Sequence, residues 1–302
     1  MRRFMRGVLR TGDERFDIMR TKMKGSRGKA KTRMVRLVRI LLLAMVLCTF
    51  VLSVKRFSFC SPKDVAWLRN TPIAHRGLHD EAIEENTLAA FAAAIAEGYA
   101  IELDVNLTKD GVPVVIHDND LSRLMGLDTS VSDMLLDDLK KESLKRSGEK
   151  VPTLGEALAL IAGQVPVLIE IKNFGWPGRL ESEVLNALDG YSGEYALQSF
   201  NPLVCRWFAK RDAKQVVGLL LDDIPGVRFG WLRNFKDNVF SAIASPNFIG
   251  YNYSVLTEDM AKVYRAHNVT VLGYGLLERA LSQDSRDLRV DNIIFDKVTL
   301  GH

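Results

Sequence analysis

The sequence predicts an α/β chain whose main body folds as a (β/α)8 TIM barrel, preceded by a single N-terminal transmembrane helix. Three observations carry that expectation. Over residues 72–302, short β-rich runs alternate with segments of helical period, the pattern of parallel strands joined by crossover helices. That stretch of 231 residues is close to the length of about 250 usual for such a barrel. Upstream of it, a strongly basic arm runs into an uncharged apolar stretch, the pattern of a membrane anchor.

The N-terminal elements come first. The chain of 302 residues holds 41 Lys+Arg and 37 Asp+Glu, a formal charge of +4, with 47% hydrophobic and 26% charged residues. This globular composition excludes a disordered chain, a collagen-like repeat and a polytopic membrane protein. Three cysteines exclude a small disulfide scaffold, and their odd number leaves at least one thiol without an intramolecular partner. The net charge alone would suggest nucleic-acid binding, but it is unevenly distributed. Residues 1–39 hold 14 Lys+Arg and 3 Asp+Glu, a net of +11; the remaining 27 and 34 leave −7 on the body. No aromatic or base-reading feature accompanies the basic arm, so no nucleic-acid partner is expected.

Ile40–Val54 is a run of 15 uncharged residues closed by Lys55 and Arg56. A bilayer span needs about 20 residues; drawing in Val35, Leu37 and Val38 supplies them, with Arg36 and Arg39 reaching back to the interface. A cleaved signal peptide is a weaker reading because Phe57-Ser58-Phe59-Cys60 is a poor cleavage site. A buried core helix fits the length but not the basic arm upstream. The expected organisation is therefore a cytoplasmic arm at 1–34, a signal anchor at 35–56 and a barrel domain at 57–302 on the extracytoplasmic side. Both the arm and the anchor would contact membrane lipid.

The strand candidates are Pro72–His75, Ala100–Val105, Val112–His117, Val165–Lys172, Tyr195–Ser199, Gln215–Leu221, Phe248–Tyr253, Val269–Tyr274 and Asn292–Phe295. Nine exceed the barrel's eight. The turn Thr108-Lys109-Asp110-Gly111 accounts for the surplus, since it leaves room only for a hairpin. Helices are expected at Thr87–Glu97, with Asn86 or Thr87 as cap, and at Thr153–Ala162, Arg179–Leu188, Pro202–Lys210 and Thr257–His267. Residues 119–150 read as a polar, mostly helical excursion at the top of the barrel.

The strands end in titratable groups, and in a parallel barrel that end binds ligands. Ile73-Ala74 leads to His75-Arg76, Ile101 to Glu102-Leu103-Asp104, Val115-Ile116 to His117-Asp118, and Ile169 to Glu170-Ile171-Lys172. Strand alternation puts Glu102 and Asp104 on one face, and Glu170 and Lys172 likewise. Three converging carboxylates repel one another by about 4 kcal/mol per close pair at an effective dielectric of 20. They therefore either take up protons or hold a cation; oxygen ligands suit Ca²⁺ or Mg²⁺. Arg76 and Lys172 remain for an anionic substrate, and His75 and His117 can exchange protons near neutral pH. The inventory describes phosphoryl-transfer chemistry. A structural salt-bridge network is the bland alternative, but buried ion pairs stabilise weakly.

These blocks, taken with Glu85-Asn86-Thr87, Thr108-Lys109-Asp110-Gly111 and Gln198-Ser199-Phe200, closely resemble the glycerophosphodiester phosphodiesterase family. The likeness is strong over residues 72–221 and weaker beyond. It implies a (β/α)8 barrel that hydrolyses glycerophosphodiesters to glycerol 3-phosphate and an alcohol through a cyclic phosphate. By the same likeness Glu102, Asp104 and Glu170 bind one divalent cation, His75 and His117 act as general acid and base, and Arg76 and Lys172 hold the phosphate. The sequence also departs from the family pattern. Glu84 stands where Pro is common, the Trp-Thr-Val-Asn type motif is replaced by Val271-Leu272-Gly273-Tyr274-Gly275, and Asp296 lacks a following Pro. The aromatic wall is then lost or moved to Tyr274.

Two other functions compete: a barrel of the sphingomyelinase D type acting on intact lipids, favoured by Phe174 and Trp176, and a non-catalytic phosphodiester-binding module. Among the remaining residues, His79 reads as a loop-surface histidine, His267 as helix surface, Glu85 as a loop-ordering group and Cys205 as core. A Cys60–Cys205 bridge is open, and Tyr251 and Tyr253 could line the mouth or pack the barrel.

Overall fold

The computed structural model describes residues 33–48, 61–63, 65–223, 230–276 and 289–296. Two compact units divide the chain, Met1–Val54 and Lys55–His302. In the first, residues 33–48 form helix α1, whose side chains are exposed. Its 16 residues span only about 24 Å at 1.5 Å per residue, short of a hydrocarbon core of about 30 Å. Among the described residues, no helix is long and apolar enough to cross a membrane. The expected span at 35–56 therefore has structural support only as the helical stretch 35–48. Residues 49–56 and the basic arm at 1–32 lie outside the described residues, as does Cys60 of the open disulfide.

The second unit is a closed eight-stranded parallel barrel. Its elements in order are α2 (Ala66–Asn70), β1 (Ile73–Ala74), α3 (Leu88–Ala96), β2 (Ala100–Leu107), β3 (Pro113–Val115), α4 (Leu136–Leu139), α5 (Leu154–Ile161), β4 (Val167–Ile171), α6 (Arg179–Leu188), β5 (Tyr195–Ser199), α7 (Pro202–Arg211), β6 (Val217–Leu221), α8 (Gly230–Ala244), β7 (Phe248–Asn252), α9 (Glu258–Ala266), β8 (Thr270–Leu276) and β9 (Asn292–Phe295). The strands β2 and β4 to β9 pair in parallel in that order, and β1 closes the ring between β9 and β2. The surplus strand is β3, which folds back antiparallel on the end of β2, with Val105 opposite Val115. The Asp110-Gly111 turn thus marks β2 as the barrel member.

Four of the helices, α3, α5, α7 and α9, start where a side chain takes up a free backbone N–H. Thr87 accepts from Ala90 N, Asn201 from Leu203 N and Thr257 from Met260 N, and Thr153 and Glu156 form a reciprocal capping box. Thr87, not Asn86, caps α3. The helix α8 had no counterpart among the expected helices.

Two layers of side chains fill the barrel. The layer at the strand N-termini is apolar: Ile73, Ala100, Leu168, Ala196, Phe248, Leu272 and Ile294, closed off by Trp67 and Leu68 of α2. Gly218 makes room in this layer, since a Cβ there would lie 2.2 Å from the Phe248 ring. Two residues further along five of these strands stand His75, Glu102, Glu170, Gln198 and Tyr274, which line a cleft. The two-residue period of a strand therefore places polar groups directly above a dry floor. Outside the sheet, the helices bury a larger core that includes Phe91, Val184, Cys205, Phe208 and Tyr264.

The excursion at 119–150 is not mostly helical. It holds one 3-10 turn at Val131–Asp133 and the single turn of α4. Gly126 and Gly148 adopt positive φ and Asp120 Oδ1 accepts from Ser122 N, features that stop helices. Leu121, Leu124, Met125, Val131, Leu139 and Leu144 hold it against Val114 and Ile116 as a separate small core.

Candidate active site

The barrel brings all seven sequence-predicted site residues to the C-terminal ends of β1, β2 and β4 and to the loop after β3. The register aligns Asp104 with Glu170 on adjacent strands. Glu102, Asp104 and Glu170 are 1%, 0% and 6% exposed, and one oxygen from each lies within 4.8 Å of the others. The Lys172 ammonium sits between two of them, 2.9 Å from Asp104 Oδ1 and 2.7 Å from Glu170 Oε1. Arg76 Nε lies 3.3 Å from Asp104 Oδ2, and its Nη1 donates to Glu85 at 2.7 Å. The Arg76 backbone N–H donates to Glu102 Oε2 at 3.0 Å. Arg76 adopts φ 56°, a left-handed geometry uncommon for a side-chain-bearing residue and characteristic of functional loops.

The electrostatics follow from burial without full compensation. Burial, then the Asp104 charge, pushes Glu102 up to about 8 and Glu170 up to about 7. Burial acts on Asp104 too, but Lys172 and Arg76 outweigh it and hold its carboxyl well below the usual range. The carboxylates therefore compete for positive charge, and without a cation two of them retain protons near neutral pH. Buried Asp104 Oδ1 and Glu170 Oε1 have no well-formed hydrogen bond and contact the Lys172 ammonium instead. Such converging, acceptor-only oxygens fit a hard divalent cation.

Each predicted histidine is held by a carboxylate at Nδ1. The His75 Nδ1 is hydrogen-bonded to Asp296, and its Nε2 points toward Glu102 at 4.0 Å. His117 Nδ1 lies 2.6 Å from Asp118 Oδ1, and Asp118 in turn accepts from Arg123. An Nδ1–H donated to a carboxylate leaves Nε2 as the atom free to exchange a proton. Burial works against the charged form of both rings. His75 is nonetheless raised by Asp296 and Glu102, whereas His117 is lowered.

Several participants were not assigned these roles from the sequence. Asn86 clamps Asp104 twice, donating to Oδ2 at 2.9 Å and accepting from Asp104 N at 3.3 Å. Gln198 Nε2 donates to Glu102 at 3.4 Å. The strand period was the available signal for Asp296, which lies two residues beyond floor residue Ile294. Glu85 accepts from Arg76 and Arg123, in line with a loop-ordering role. Glu84, where a proline was expected, accepts from the backbone and hydroxyl of Ser147 at 2.9 and 2.8 Å and ties down the excursion. The aromatic wall is present: Tyr274 lines the cleft, with its ring edge-on to Phe200 at 5.9 Å and its hydroxyl donating to Leu221 O. Tyr251 is buried in the outer core and donates to Asp237, so it packs the barrel. Tyr253 lies under the Arg289 guanidinium. His79 is not a surface histidine. It is half-buried, its Nε2 is enclosed without a hydrogen bond, and burial lowers its pKa. His267 is exposed and Cys205 fully buried, as expected.

Comparison with known proteins agrees with this geometry. The sequence model of the Glycerophosphoryl diester phosphodiesterase family matches residues 75–300. A glycerophosphodiester phosphodiesterase of Caldanaerobacter subterraneus is 38% identical over 165 residues, covering 51% of this chain and 67% of that one. The crystal structure of a glycerophosphodiester phosphodiesterase from Thermotoga maritima superposes with a TM-score of 0.58 at 27% identity, over 76% of this chain and 95% of that one. An Oleispira antarctica phosphodiesterase, solved with the product sn-glycerol-3-phosphate, shares the fold with a TM-score of 0.62 at 22% identity, over 80% and 95%.

Proposed function

The chain belongs to the glycerophosphoryl diester phosphodiesterase family of phosphoric diester hydrolases, and from that premise we propose that it hydrolyses glycerophosphodiesters to sn-glycerol 3-phosphate and an alcohol. The observation that carries the proposal is the buried triad of Glu102, Asp104 and Glu170, flanked by two histidines that are each pinned through Nδ1. In this reading the triad holds one Ca²⁺ or Mg²⁺, which when bound supplies Lewis-acid charge to a phosphate oxygen. His75 and His117 exchange protons at Nε2 with the attacking and leaving oxygens. Arg76 and Lys172 face the phosphate, and the dry floor below keeps the charges in a poorly screened setting where they act strongly.

The anchor and topology belong to the same proposal: residues 35–56 hold the chain in a membrane, with 1–34 on the cytoplasmic side and the barrel on the other. Arm and anchor would both meet membrane lipid. A mature N-terminus near residue 57 would refute the anchor.

One observation favours a second reading, hydrolysis of intact lipids. Phe174 and Trp176, in the loop after β4, are 78% and 85% exposed. The test is turnover by the purified full chain of glycerophosphocholine against lipid vesicles, with and without chelator. Release of glycerol 3-phosphate from the soluble diester, stopped by chelation and by His75→Ala or His117→Ala at unchanged melting temperature, is expected. Full activity in the His75→Ala protein would refute the assigned roles.

A further inference from the structure

The end of the barrel opposite the carboxylates carries a second concavity, of about 330 Å³. It lies beside the first residues of β6 and β7, where Asn247 Oδ1 accepts from Val217 N. Three cations line it, Lys63, Arg206 and Lys210, against one acid, Asp212; Gln215 and Asn247 are also in its wall. A basic lining is unexpected in a body whose net charge is −7. Arg211, its guanidinium over the Trp207 ring, and Lys214 continue the basic stretch. Lys63 donates to the carbonyls of Ala213 and Gln215 and so occupies acceptors beyond the C-terminus of α7. Arg206 and Lys210 are exposed. Gln215 Oε1 is buried without a donor.

The chain enters the barrel at this same end. Ser61 N donates to Pro246 O, and Asn247 Nδ2 donates to Ser61 O at 2.6 Å. Seven positions separate Ser61 from Val54, the last residue of the apolar run; fully extended they reach at most about 25 Å. Along β2 the carboxylates Glu102 and Asp104 stand two and four residues beyond Ala100, about 7 and 13 Å from it, and the Phe174–Trp176 loop follows β4 on that same side.

We propose that this N-terminal end of the barrel is a membrane-facing surface whose cavity takes the anionic headgroup of a phospholipid. The proposal rests on the anchor reading above. Arg206 and Lys210 meet the headgroup phosphate, and Gln215 Oε1 accepts from a headgroup hydroxyl. Each cation held against an anionic bilayer strengthens association about fivefold. The catalytic mouth then opens away from the bilayer, and its substrate is a water-soluble diester arriving from solution.

The test uses the full chain in nanodiscs of phosphatidylcholine alone or mixed with phosphatidylglycerol. Amide exchange over residues 206–215 should slow about tenfold in the mixed discs only. Arg206→Glu with Lys210→Glu should abolish the slowing while leaving the protein in the disc and its turnover of glycerophosphocholine unchanged. Three results overturn the proposal: equal exchange in both discs, the same slowing produced in phosphatidylcholine discs by soluble inorganic phosphate, or protection appearing at residues 174–176 instead. Release of the wild-type chain from both kinds of disc would overturn the anchor and this proposal together.

Discussion

Removing divalent cations should make the barrel less stable as pH rises, the reverse of the usual behaviour of carboxylates in folded proteins. Burial, then Asp104, raises Glu102 from 4.5 to about 8 and Glu170 from 4.5 to about 7. A group whose folded pKa is raised contributes stability that is fully present below its unfolded value and is lost as pH climbs through the folded one. The window is therefore pH 4.5 to about 8. Within it the folded state holds up to two protons that the unfolded state has released. Each is worth about 1.4 kcal/mol per pH unit, so the slope near pH 6.5 is at most about 2.7 kcal/mol per unit. For a body of this size that corresponds to a fall in melting temperature of about 5–10 °C per pH unit. Asp104, held low, titrates below the window. The lowered His79 and His117 oppose this fall up to about pH 6.5, and the raised His75 adds to it above, so the slope is read between pH 6.5 and 8. The assay is thermal unfolding in EDTA across that range, repeated at saturating Ca²⁺ or Mg²⁺. Cation binding requires ionised ligands, so the added metal should flatten or invert the slope. Glu102→Gln, which removes one of the two protons, should roughly halve it in EDTA. A melting temperature that is flat or rising with pH in EDTA, or an unaltered slope in Glu102→Gln, would refute the reasoning.

Two further substitutions probe the supports of the site. Gly77→Ala forces a side chain at φ +79° with its Cβ 2.8 Å from Ala90 Cβ and 2.9 Å from the Ala90 carbonyl carbon. Because that neighbour is helix backbone and cannot yield, a loss of about 2–4 kcal/mol in denaturant midpoint is expected. Asp296→Asn removes the carboxylate from His75 Nδ1. It should lower kcat by about 100-fold or more, within the range of general acid–base contributions, with little change in KM or melting temperature; unchanged kcat would show that His75 needs no such partner.

Local pattern made much of this protein legible, and its limits are equally physical. The hairpin at Asp110-Gly111, the caps at Thr87 and Thr153 and the strand-end positions of His75, Glu102, Asp104 and Glu170 all follow from rules acting over a few residues. The region 119–150 misled because its polar composition fits a surface helix, whereas its turns and its own small core set its path. His79 misled because exposure depends on what packs over a loop, which local sequence does not state.

By itself the sequence determined the period, number and chemistry of the strands: which residues could face a common centre, and how many charges they bring. Only the tertiary structure decided which partners those charges meet. Asp296 lies 221 residues from His75, and the ring closes only when β9 pairs with β1. Asn86 reaches Asp104, and Lys172 bridges Asp104 to Glu170, through strand register and burial. The physical reason is that a pKa or an ion pair depends on distance and desolvation across the whole barrel, and neither exists until the sheet has closed.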